Sequence, residues 1–463
     1  MAIRKGDMLE LGIEKAAFGG QGVAKADGLV VFVRGGVPGD IVRARVFKKK
    51  KGYAEAGLVE ILRPSPDRVE PPCPYAGFCG GCQWQQIGYP RQLEYKRQHV
   101  QEALEHIGGL RGIRVHPTIP SGKPFGYRNK MEFSFSGRRW FLPHELEKRA
   151  IEPEFALGLH VPGTFSKIID VDACLLQEEN GNRILRQVKA AARDSGIPAY
   201  ETKTHRGFWR FLMLRYSVAD DEWMVNIITS EDRPAAVAPI AAALDGTGYK
   251  VRTFVNNIHS GKAAVAVGER EVVYLGDGYL KDRIGPFSFR ISANSFFQTN
   301  PPGAERLFRQ AAEYAEVGRE DHVLDLYSGT GTIPIFLASR AASVTGIELS
   351  RTAVLDAEKN CRENGVSNCR FLVGDARKIL PEIGTRPDVL VIDPPRAGMH
   401  RDVASRVLEL APRRIVYISC NPATMARDLA LMADDYQILE IQPVDMFPQT
   451  YHVEAVAKVV RKG

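Results

Sequence analysis

Long apolar runs are missing from this sequence. Hydrophobic residues make up 44% of its 463 residues and charged residues 25%, which is the composition of an ordinary globular protein. The chain has no stretch of about 18 or more apolar residues, the length that crosses a bilayer. The N-terminus, from Met1 to Asp7, also lacks the apolar core of a secretory signal. These absences argue against a membrane-spanning or secreted protein, and we expect a cytoplasmic monomer with no membrane partner.

Cysteine is scarce as well, and its count of seven is odd, which argues against a disulfide framework. Three of the cysteines fall within ten residues, as Cys73-x5-Cys79-x2-Cys82, and Cys174 follows far downstream. In a reducing compartment such spacing favours a metal site. Zinc and an iron–sulfur cluster both accept four thiolates; two C-x2-C pairs would favour zinc, and the chain has only one. We interpret two of the other three, Cys361 and Cys369, as packing residues.

Internal repeats and low-complexity segments are also absent, and the length of 463 residues predicts about three domains. Residues 1–62 alternate short β-like runs with glycine turns, as in a small OB-type β-barrel. Residues 63–285 mix strands and helices, hold the cysteine cluster and include a helix from Tyr89 to about His106. Residues 286–463 alternate strand and helix patterns, which is typical of a doubly wound α/β sheet.

Positive charge is in modest excess, with a net charge of +7, which permits a polyanionic partner without requiring one. Lys48 to Lys51 and Tyr53 lie at a predicted hairpin tip in the first region. A basic tip with an aromatic ring can follow a phosphate backbone and stack on a base. A merely solvated hairpin explains the pattern equally well. Residues 137–154, also charged, are predicted to form a loop or insertion.

A glycine-rich segment, Asp325 to Thr332 (DLYSGTGT), ends the first strand of the third region and opens a helix. Glycines at this place let the backbone approach a ligand closely. Glu348 ends the next strand, as the binding of a ribose diol requires, and Asp375 follows the third, where an adenine amino group could bind. NAD fits poorly because Pro334 replaces the third glycine of its fingerprint, whereas S-adenosylmethionine has no pyrophosphate and does not need it. The acids could instead be helix caps and turn formers.

Two reactive side chains are predicted at the ligand-binding edge of this sheet. Cys420 follows the apolar strand Ile415–Ser419, and Asn421-Pro422 then supplies the cap and first turn of a helix. The dipole of that helix favours a thiolate, although most lone cysteines are inert core residues. Glu454 opens the last strand, where a carboxylate is costly unless it is paired or functional. The two residues would supply a nucleophile and a general base.

Three longer motifs carry a resemblance to a known family. They are Asp393 to Gly398 (DPPRAG), Ile415 to Thr424 (IVYISCNPAT) and Asp445 to Glu454 (DMFPQTYHVE). Each is similar to a signature of the RNA uracil-5-methyltransferases. The resemblance extends over the whole chain, because the ribosomal-RNA members of that family carry an N-terminal, RNA-binding TRAM β-barrel. It implies a TRAM barrel, a mixed α+β central domain with a [4Fe–4S] cluster, and a Rossmann-like methyltransferase domain.

The resemblance also implies roles for individual residues. Cys420 would be the nucleophile and Glu454 the base that removes a proton. The residues implied to line the S-adenosylmethionine site are Gln298, Tyr327, Thr332 (where relatives often have asparagine), Glu348, Asp375 and Asp393. Those implied to hold the cluster are Cys73, Cys79, Cys82 and Cys174. Phe296 and Phe297, beside Gln298, are candidates for stacking on the target base, or for the core.

The implied reaction is the methylation of uracil C5 in RNA by S-adenosylmethionine. Thiolate addition at C6 makes C5 electron-rich, and after methyl transfer a base removes the C5 proton. The target nucleotide must leave its stack or lie in a loop. The barrel and the cysteine cluster favour 23S ribosomal RNA, with the T-loop uridine of transfer RNA as the close alternative. A non-catalytic RNA-binding protein would not need Cys420 and Glu454, and an NAD-linked oxidoreductase would need the missing glycine.

Overall fold

The computed structural model describes residues 3–146 and 155–463. Residues 8–63 form a six-stranded sheet with the order β1-β5-β6-β4-β3-β2. Alternate side chains along its strands point inward and build a small core of valine, alanine, leucine and isoleucine. The strands are β1 Met8–Gly12, β2 Lys15–Ala16, β3 Gly22–Ala26, β4 Leu29–Arg34, β5 Ile41–Lys49 and β6 Tyr53–Arg63. Because β5 pairs antiparallel with β6, the basic segment lies at a hairpin tip as predicted.

The middle of the chain forms a second sheet of eight strands, in the order β15-β14-β13-β12-β8-β10-β11-β9, and a separate hairpin, β16–β17. The elements are α1 Tyr89–His106, β7 Arg114–Val115, β8 Lys130–Ser136, β9 Arg139–Trp140, α2 Pro143–Leu146, β10 Ala156–His160, β11 Ile168–Asp170, α3 Glu179–Asp194, β12 Trp209–Ser217, β13 Glu222–Thr229, α4 Pro234–Leu244, β14 Val251–Ile258, β15 Arg270–Leu275, β16 Tyr279–Ile284 and β17 Phe287–Ser292. The predicted insertion at 137–154 begins with β9 and α2, and its residues 147–154 lie outside the described part of the chain.

The C-terminal part forms a third sheet of eight strands, in the order β20-β19-β18-β21-β22-β24-β23-β7. Strands β18 to β22 are parallel. Its elements are α5 Pro301–Ala315, β18 His322–Leu326, α6 Thr332–Ala338, β19 Ser343–Glu348, α7 Arg351–Glu363, β20 Cys369–Val373, α8 Ala376–Ile379, a 3-10 turn Leu380–Glu382, β21 Val389–Ile392, α9 Arg401–Leu410, β22 Arg414–Ser419, α10 Pro422–Met432, β23 Tyr436–Val444 and β24 Glu454–Arg461. The predicted parallel strands are all present, and β23 is an addition that the apolar pattern did not indicate.

Helix α1 and strand β7 extend this third sheet, although they come from the second predicted region. β7 pairs with β23 and covers an edge that would otherwise expose unpaired backbone groups. Val100, Leu104 and Val115 pack into the core beneath α10. The hairpin β16–β17 also spans the expected boundary at 285/286. The boundaries themselves stay a prediction, but contacts between distant segments join the second and third regions closely. Across residues 3–146 and 155–463, no helix is long and apolar enough to span a membrane.

Candidate active site

Cys420 and Glu454 lie opposite each other at one edge of the third sheet. β24 runs antiparallel to β22, and Ser419 is the register partner of Ala455. One step further along this pairing, Cys420 stands across from Glu454. Because β24 is antiparallel, its first residue lies at the edge where the parallel strands end. The two predicted catalytic residues therefore come together through strand direction.

The loop from Asp393 to Met399 is fastened to the same edge. Asn421 caps α10 by accepting from the Ala423 N–H at 3.1 Å, and its side-chain amide donates to the Arg396 carbonyl at 3.1 Å. From within α10, Asp428 accepts from the Met399 N–H at 2.7 Å. The hydroxyl of Tyr417, on β22, donates to the same Asp428 oxygen at 2.6 Å. Asp428 thus holds the loop against the cysteine, a role that no sequence pattern indicated.

The Cys420 thiol is not pre-ionised. Burial, followed by the nearby Glu454 carboxyl, raises its pKa to about 11, while the charge and hydrogen bond of Arg396 act in the opposite direction. The dipole of α10 is expected to favour the thiolate, but desolvation of the buried sulfur raises its pKa in the free site. Arg396 is the group placed to stabilise the thiolate once it forms.

The pKa of the Glu454 carboxyl group is also raised in the free site. Burial, then the proximity of Asp393, raises its pKa well above the usual range, with Arg396 opposing the shift. Burial raises the pKa of Asp393 to about 6. A carboxyl group with a raised pKa and a reactive neighbour is typical of an acid–base site. The arrangement can form a bond through sulfur and move a proton through oxygen within the same crevice.

The glycine-rich turn after β18 takes left-handed backbone conformations. Tyr327 has φ of 67°, Gly329 of 53° and Gly331 of 79°, and such a value is costly for tyrosine. A side chain at Gly331 would meet Ala357 and Phe371 at 2.9 Å, whereas nothing lies within 4 Å of the Cβ position of Gly329. The turn is thus closely packed at Gly331 and open at Gly329, so a ligand can approach the backbone there.

Acidic groups converge beneath this turn. Glu348 accepts from the Gly329 N–H at 3.0 Å. Asp325 is wholly buried, and neither of its carboxylate oxygens has a hydrogen-bond partner within the described residues. Burial, followed by Asp393 and Glu348, raises its pKa well above the usual range. An unpartnered acid in an acidic crevice suits a cationic ligand, and S-adenosylmethionine carries a sulfonium and an ammonium group. The sequence pattern indicated no role for Asp325 beyond its place at the start of the glycine-rich segment.

The other predicted cofactor residues lie in different local settings. Asp375 caps α8 by accepting from the Arg377 N–H at 2.9 Å, and its bonds to Arg377 lower its pKa to about 2. The alternative prediction, that this acid is a helix cap, is therefore confirmed for Asp375. Thr332 is the first residue of α6. Gln298 lies in the loop before α5, whose cap Asn300 donates to the Met446 carbonyl at 2.9 Å.

The two phenylalanines beside Gln298 have different environments. Phe297 is buried at 5% exposure and packs on Phe289, with ring centroids 5.8 Å apart. Phe296 is 67% exposed. An exposed ring is available to stack on a base, whereas Phe297 belongs to the core.

The four clustered cysteines surround one cavity of about 160 Å³ in the second region. Cys174 comes from a segment far along the chain, where its N–H donates to Asn182 at 2.8 Å. Gln85 and Arg128 also line the cavity. Within residues 3–146 and 155–463, no group of three or more His, Cys, Asp or Glu side chains is arranged to hold a single metal ion. The structure thus brings the cysteines around a shared space without placing them at one ion.

Comparison with family models identifies three segments of the chain. Residues 385–462 match the tRNA (Uracil-5-)-methyltransferase model, residues 323–413 a methyltransferase domain and residues 4–59 the TRAM domain. The first match contains both Cys420 and Glu454. The last coincides with the N-terminal sheet.

Relatives match over nearly the whole chain. An uncharacterized RNA methyltransferase of Chlorobaculum tepidum is 44% identical over 98% of this chain and 96% of its own. Another, from Halalkalibacterium halodurans, is 39% identical over 100% and 98%.

Among solved structures, the Pyrococcus abyssi tRNA (uracil-54, C5)-methyltransferase, in complex with S-adenosyl-L-homocysteine, has a TM-score of 0.75 and 30% identity, and the match covers 98% of this chain and 100% of that one. The chain therefore belongs to the RNA uracil-5-methyltransferase family, enzymes that transfer a methyl group from S-adenosylmethionine to uracil C5 in RNA.

Proposed function

We propose that this enzyme methylates C5 of a uridine in 23S ribosomal RNA, with Cys420 as the nucleophile and Glu454 as the base. The observation that carries the assignment of these two residues is the register of β22 and β24, which sets the thiol opposite the carboxyl group. The positive charge of Arg396 lowers the pKa of both groups, against the effect of burial. The roles of the two residues follow from their chemistry and from this placement. The TRAM region and the cysteine cavity support ribosomal RNA as the substrate.

Each residue acts in a different step. The Cys420 thiolate adds to C6 of uracil and pushes the electron pair of the C5–C6 bond toward the C4 carbonyl. S-adenosylmethionine, when bound, supplies a methyl group that C5 can accept. Glu454, as the carboxylate, then removes the C5 proton, the C5–C6 double bond re-forms and the C6–S bond breaks. The thiolate is regained, and the proton held by Glu454 passes to water.

The acidic crevice would hold the methyl donor. Glu348 would bind the ribose hydroxyls, and Asp325 and Asp393 would attract the positively charged groups. Tyr327, Thr332, Gln298 and Asp375 complete the proposed lining. An acidic site binds the sulfonium donor more strongly than the neutral thioether product, which favours product release after methyl transfer.

We also propose that the cysteine cavity holds a [4Fe–4S] cluster. Four thiols from two distant segments line it, which is the number of ligands that a [4Fe–4S] cluster takes, and only one C-x2-C pair occurs, where two would favour zinc. Such a cluster would join the loop containing Cys73, Cys79 and Cys82 to the segment of Cys174. Its expected role is to fix the conformation of this loop-rich region so that the region can bind RNA.

Metal analysis tests the cluster. Protein purified without oxygen is expected to contain about four iron and four sulfide per chain, as the cluster formula requires, and Cys174→Ser should lose most of both. Cys361→Ser, which changes a cysteine outside the cavity, should keep them. Zinc in place of iron in the wild-type protein would contradict the proposal.

Transfer RNA is the second candidate substrate. The Pyrococcus abyssi enzyme, described as acting on uracil 54 of tRNA, matches this chain over its whole length. An architecture of TRAM region, middle region and catalytic sheet therefore fits either RNA.

Nucleoside mapping decides between the two RNAs. In a strain that lacks this protein, 5-methyluridine is expected to disappear from 23S RNA and to persist in transfer RNA. Wild-type protein should restore it, and Cys420→Ala should not. Loss from transfer RNA alone would establish the second candidate, and loss from neither RNA would refute both.

A further inference from the structure

The loop between β23 and β24, residues 445–453, leads directly into Glu454 and is bound by several side chains of α1. Lys96 donates from Nζ to Asp445 Oδ1 at 2.5 Å and to the Phe447 carbonyl at 3.0 Å. Both charged side chains are wholly buried. The hydroxyl of Tyr89, the first residue of α1, donates to the other carboxylate oxygen of Asp445 at 2.9 Å. The start of the loop is therefore tied to α1 by a buried ion pair.

Gln92, one turn before Lys96, binds the middle of the loop. Its side chain is wholly buried and makes a reciprocal pair with Gln449, in which Nε2 donates to Gln449 Oε1 and Oε1 accepts from the Gln449 N–H, each at 3.0 Å. Gln449 has φ of 67°, a left-handed value that non-glycine residues adopt at a cost. The bonds to Gln92 help to offset that cost and keep the loop in one conformation.

The segment that follows Cys82 binds the same residue from the other side. The N–H groups of Gln83 and Trp84 both donate to the Gln449 carbonyl at 3.0 Å. Tyr127, which precedes the cavity-lining Arg128, donates to the Pro448 carbonyl at 3.1 Å. Chain neighbours of the cavity-lining residues Cys82, Gln85 and Arg128 thus form direct hydrogen bonds with the loop that ends in Glu454.

Packing alone does not require these groups. Apolar side chains would fill the space between α1 and the loop at a lower desolvation cost than a buried ion pair and a buried amide pair. What buried polar groups add is a defined geometry, because each donor must meet its acceptors at fixed places. The base that removes the C5 proton must be held at a defined position, because a small displacement of a reacting group strongly slows the reaction step.

We propose that Gln92, Lys96 and the amides of Gln83 and Trp84 form a clamp that positions Glu454 for proton removal and links it to the cysteine cavity. The residues of the clamp are positioning residues, because they act through the loop. The inference rests on the proposed function, in which Glu454 is the base. It assigns the clamp to the last chemical step, after cysteine addition and methyl transfer.

The kinetic test uses Gln92→Met, with Gln98→Met on the exposed face of the same helix as its matched control. Gln92→Met is expected to slow release of 5-methyluridine RNA by 10- to 100-fold, on the order of the effect of a displaced catalytic group, and to accumulate the methylated covalent adduct. Its rate of adduct formation with 5-fluorouridine RNA should match that of wild type. Equal slowing of both steps, or no change in either, would overturn the inference.

A second variant guards against a folding defect. Gln449→Gly removes the side-chain pair but keeps the left-handed backbone that glycine adopts freely. It should show the same selective slowing of release with an unchanged thermal transition. If Glu454→Gln fails to trap a methylated adduct, the proposed function itself fails. If Glu454→Gln traps it and neither clamp variant does, only the clamp is refuted.

The link to the cysteine cavity has a readout independent of activity. Hydrogen exchange in Cys82→Ser is expected to be faster than in wild type across residues 446–453 and unchanged in α9, which serves as an internal control. Unchanged exchange in the loop would overturn the link.

Discussion

Replacing Cys420 by alanine is expected to lower methyl transfer to RNA on the order of 10⁶-fold, the loss seen when a covalent nucleophile is removed from an enzyme. The alanine cannot add to C6, so C5 never becomes electron-rich enough to accept a methyl group. Transfer of a labelled methyl group from S-adenosylmethionine measures the effect. With 5-fluorouridine RNA, wild-type protein should form a covalent complex that resists denaturation, because fluorine cannot leave as a proton does. The variant should form none.

Cys361→Ala is the control for this substitution, since Cys361 is a buried cysteine in the core of the same domain. It is expected to form the covalent complex and to turn over. A Cys420→Ala protein that still methylates RNA would disprove the nucleophile assignment. Absence of a complex in wild type, with both ribosomal and transfer RNA, would disprove the covalent mechanism.

The pH dependence of complex formation follows from the raised pKa of Cys420. Only the thiolate adds to C6, and with a pKa of about 11 the free enzyme holds mostly thiol at neutral pH. The rate of complex formation at subsaturating RNA should therefore rise about tenfold per pH unit below that value. Arg396→Gln should lower the rate, because it removes the positive charge and the hydrogen bond that favour the thiolate. A rate independent of pH would show that the nucleophile is already ionised.

Replacing Glu454 by glutamine is expected to lower turnover by about 10²- to 10⁴-fold, the usual contribution of a general base, and to trap the methylated adduct. The amide has nearly the shape of the carboxyl group but cannot accept the C5 proton. Denaturing electrophoresis and mass measurement of the trapped species should show protein, RNA and one added methyl group. An adduct that lacks the methyl group would place Glu454 before methyl transfer.

Glu440→Gln, which changes a carboxylate on the neighbouring strand β23 that binds His116, is the matched control and should turn over normally. In wild type, proton removal needs the carboxylate form of Glu454. Because the pKa of Glu454 is raised well above the usual range, the population of the carboxylate still increases with pH above that range. The rate of adduct breakdown should therefore rise with pH in wild type and lose this dependence in Glu454→Gln. A variant that retains the same pH profile would contradict the assignment.

Much of the catalytic sheet could be predicted from local sequence alone. Short apolar runs indicated β18 to β22, and Asn421-Pro422 indicated the start of α10, because strand burial and helix caps depend on residues close in the chain. The bounds of α1 were predicted for the same reason. The exposed Phe296 and buried Phe297 could not be told apart, since their difference arises from what packs against each.

The sequence by itself determined the candidate residues for the chemistry, namely the thiol, the carboxylates and the clustered cysteines, because reactivity belongs to residue types. Only the tertiary structure decided how they meet. The antiparallel direction of β24, and the register of Ser419 with Ala455 that sets Cys420 opposite Glu454, arise from pairing between distant strands. The raised pKa of Cys420, the unpartnered Asp325 and the grip of α1 on the loop before Glu454 arise from burial and contacts across the fold. No local pattern encodes such long-range contacts, so the geometry of the site emerged only with the folded chain.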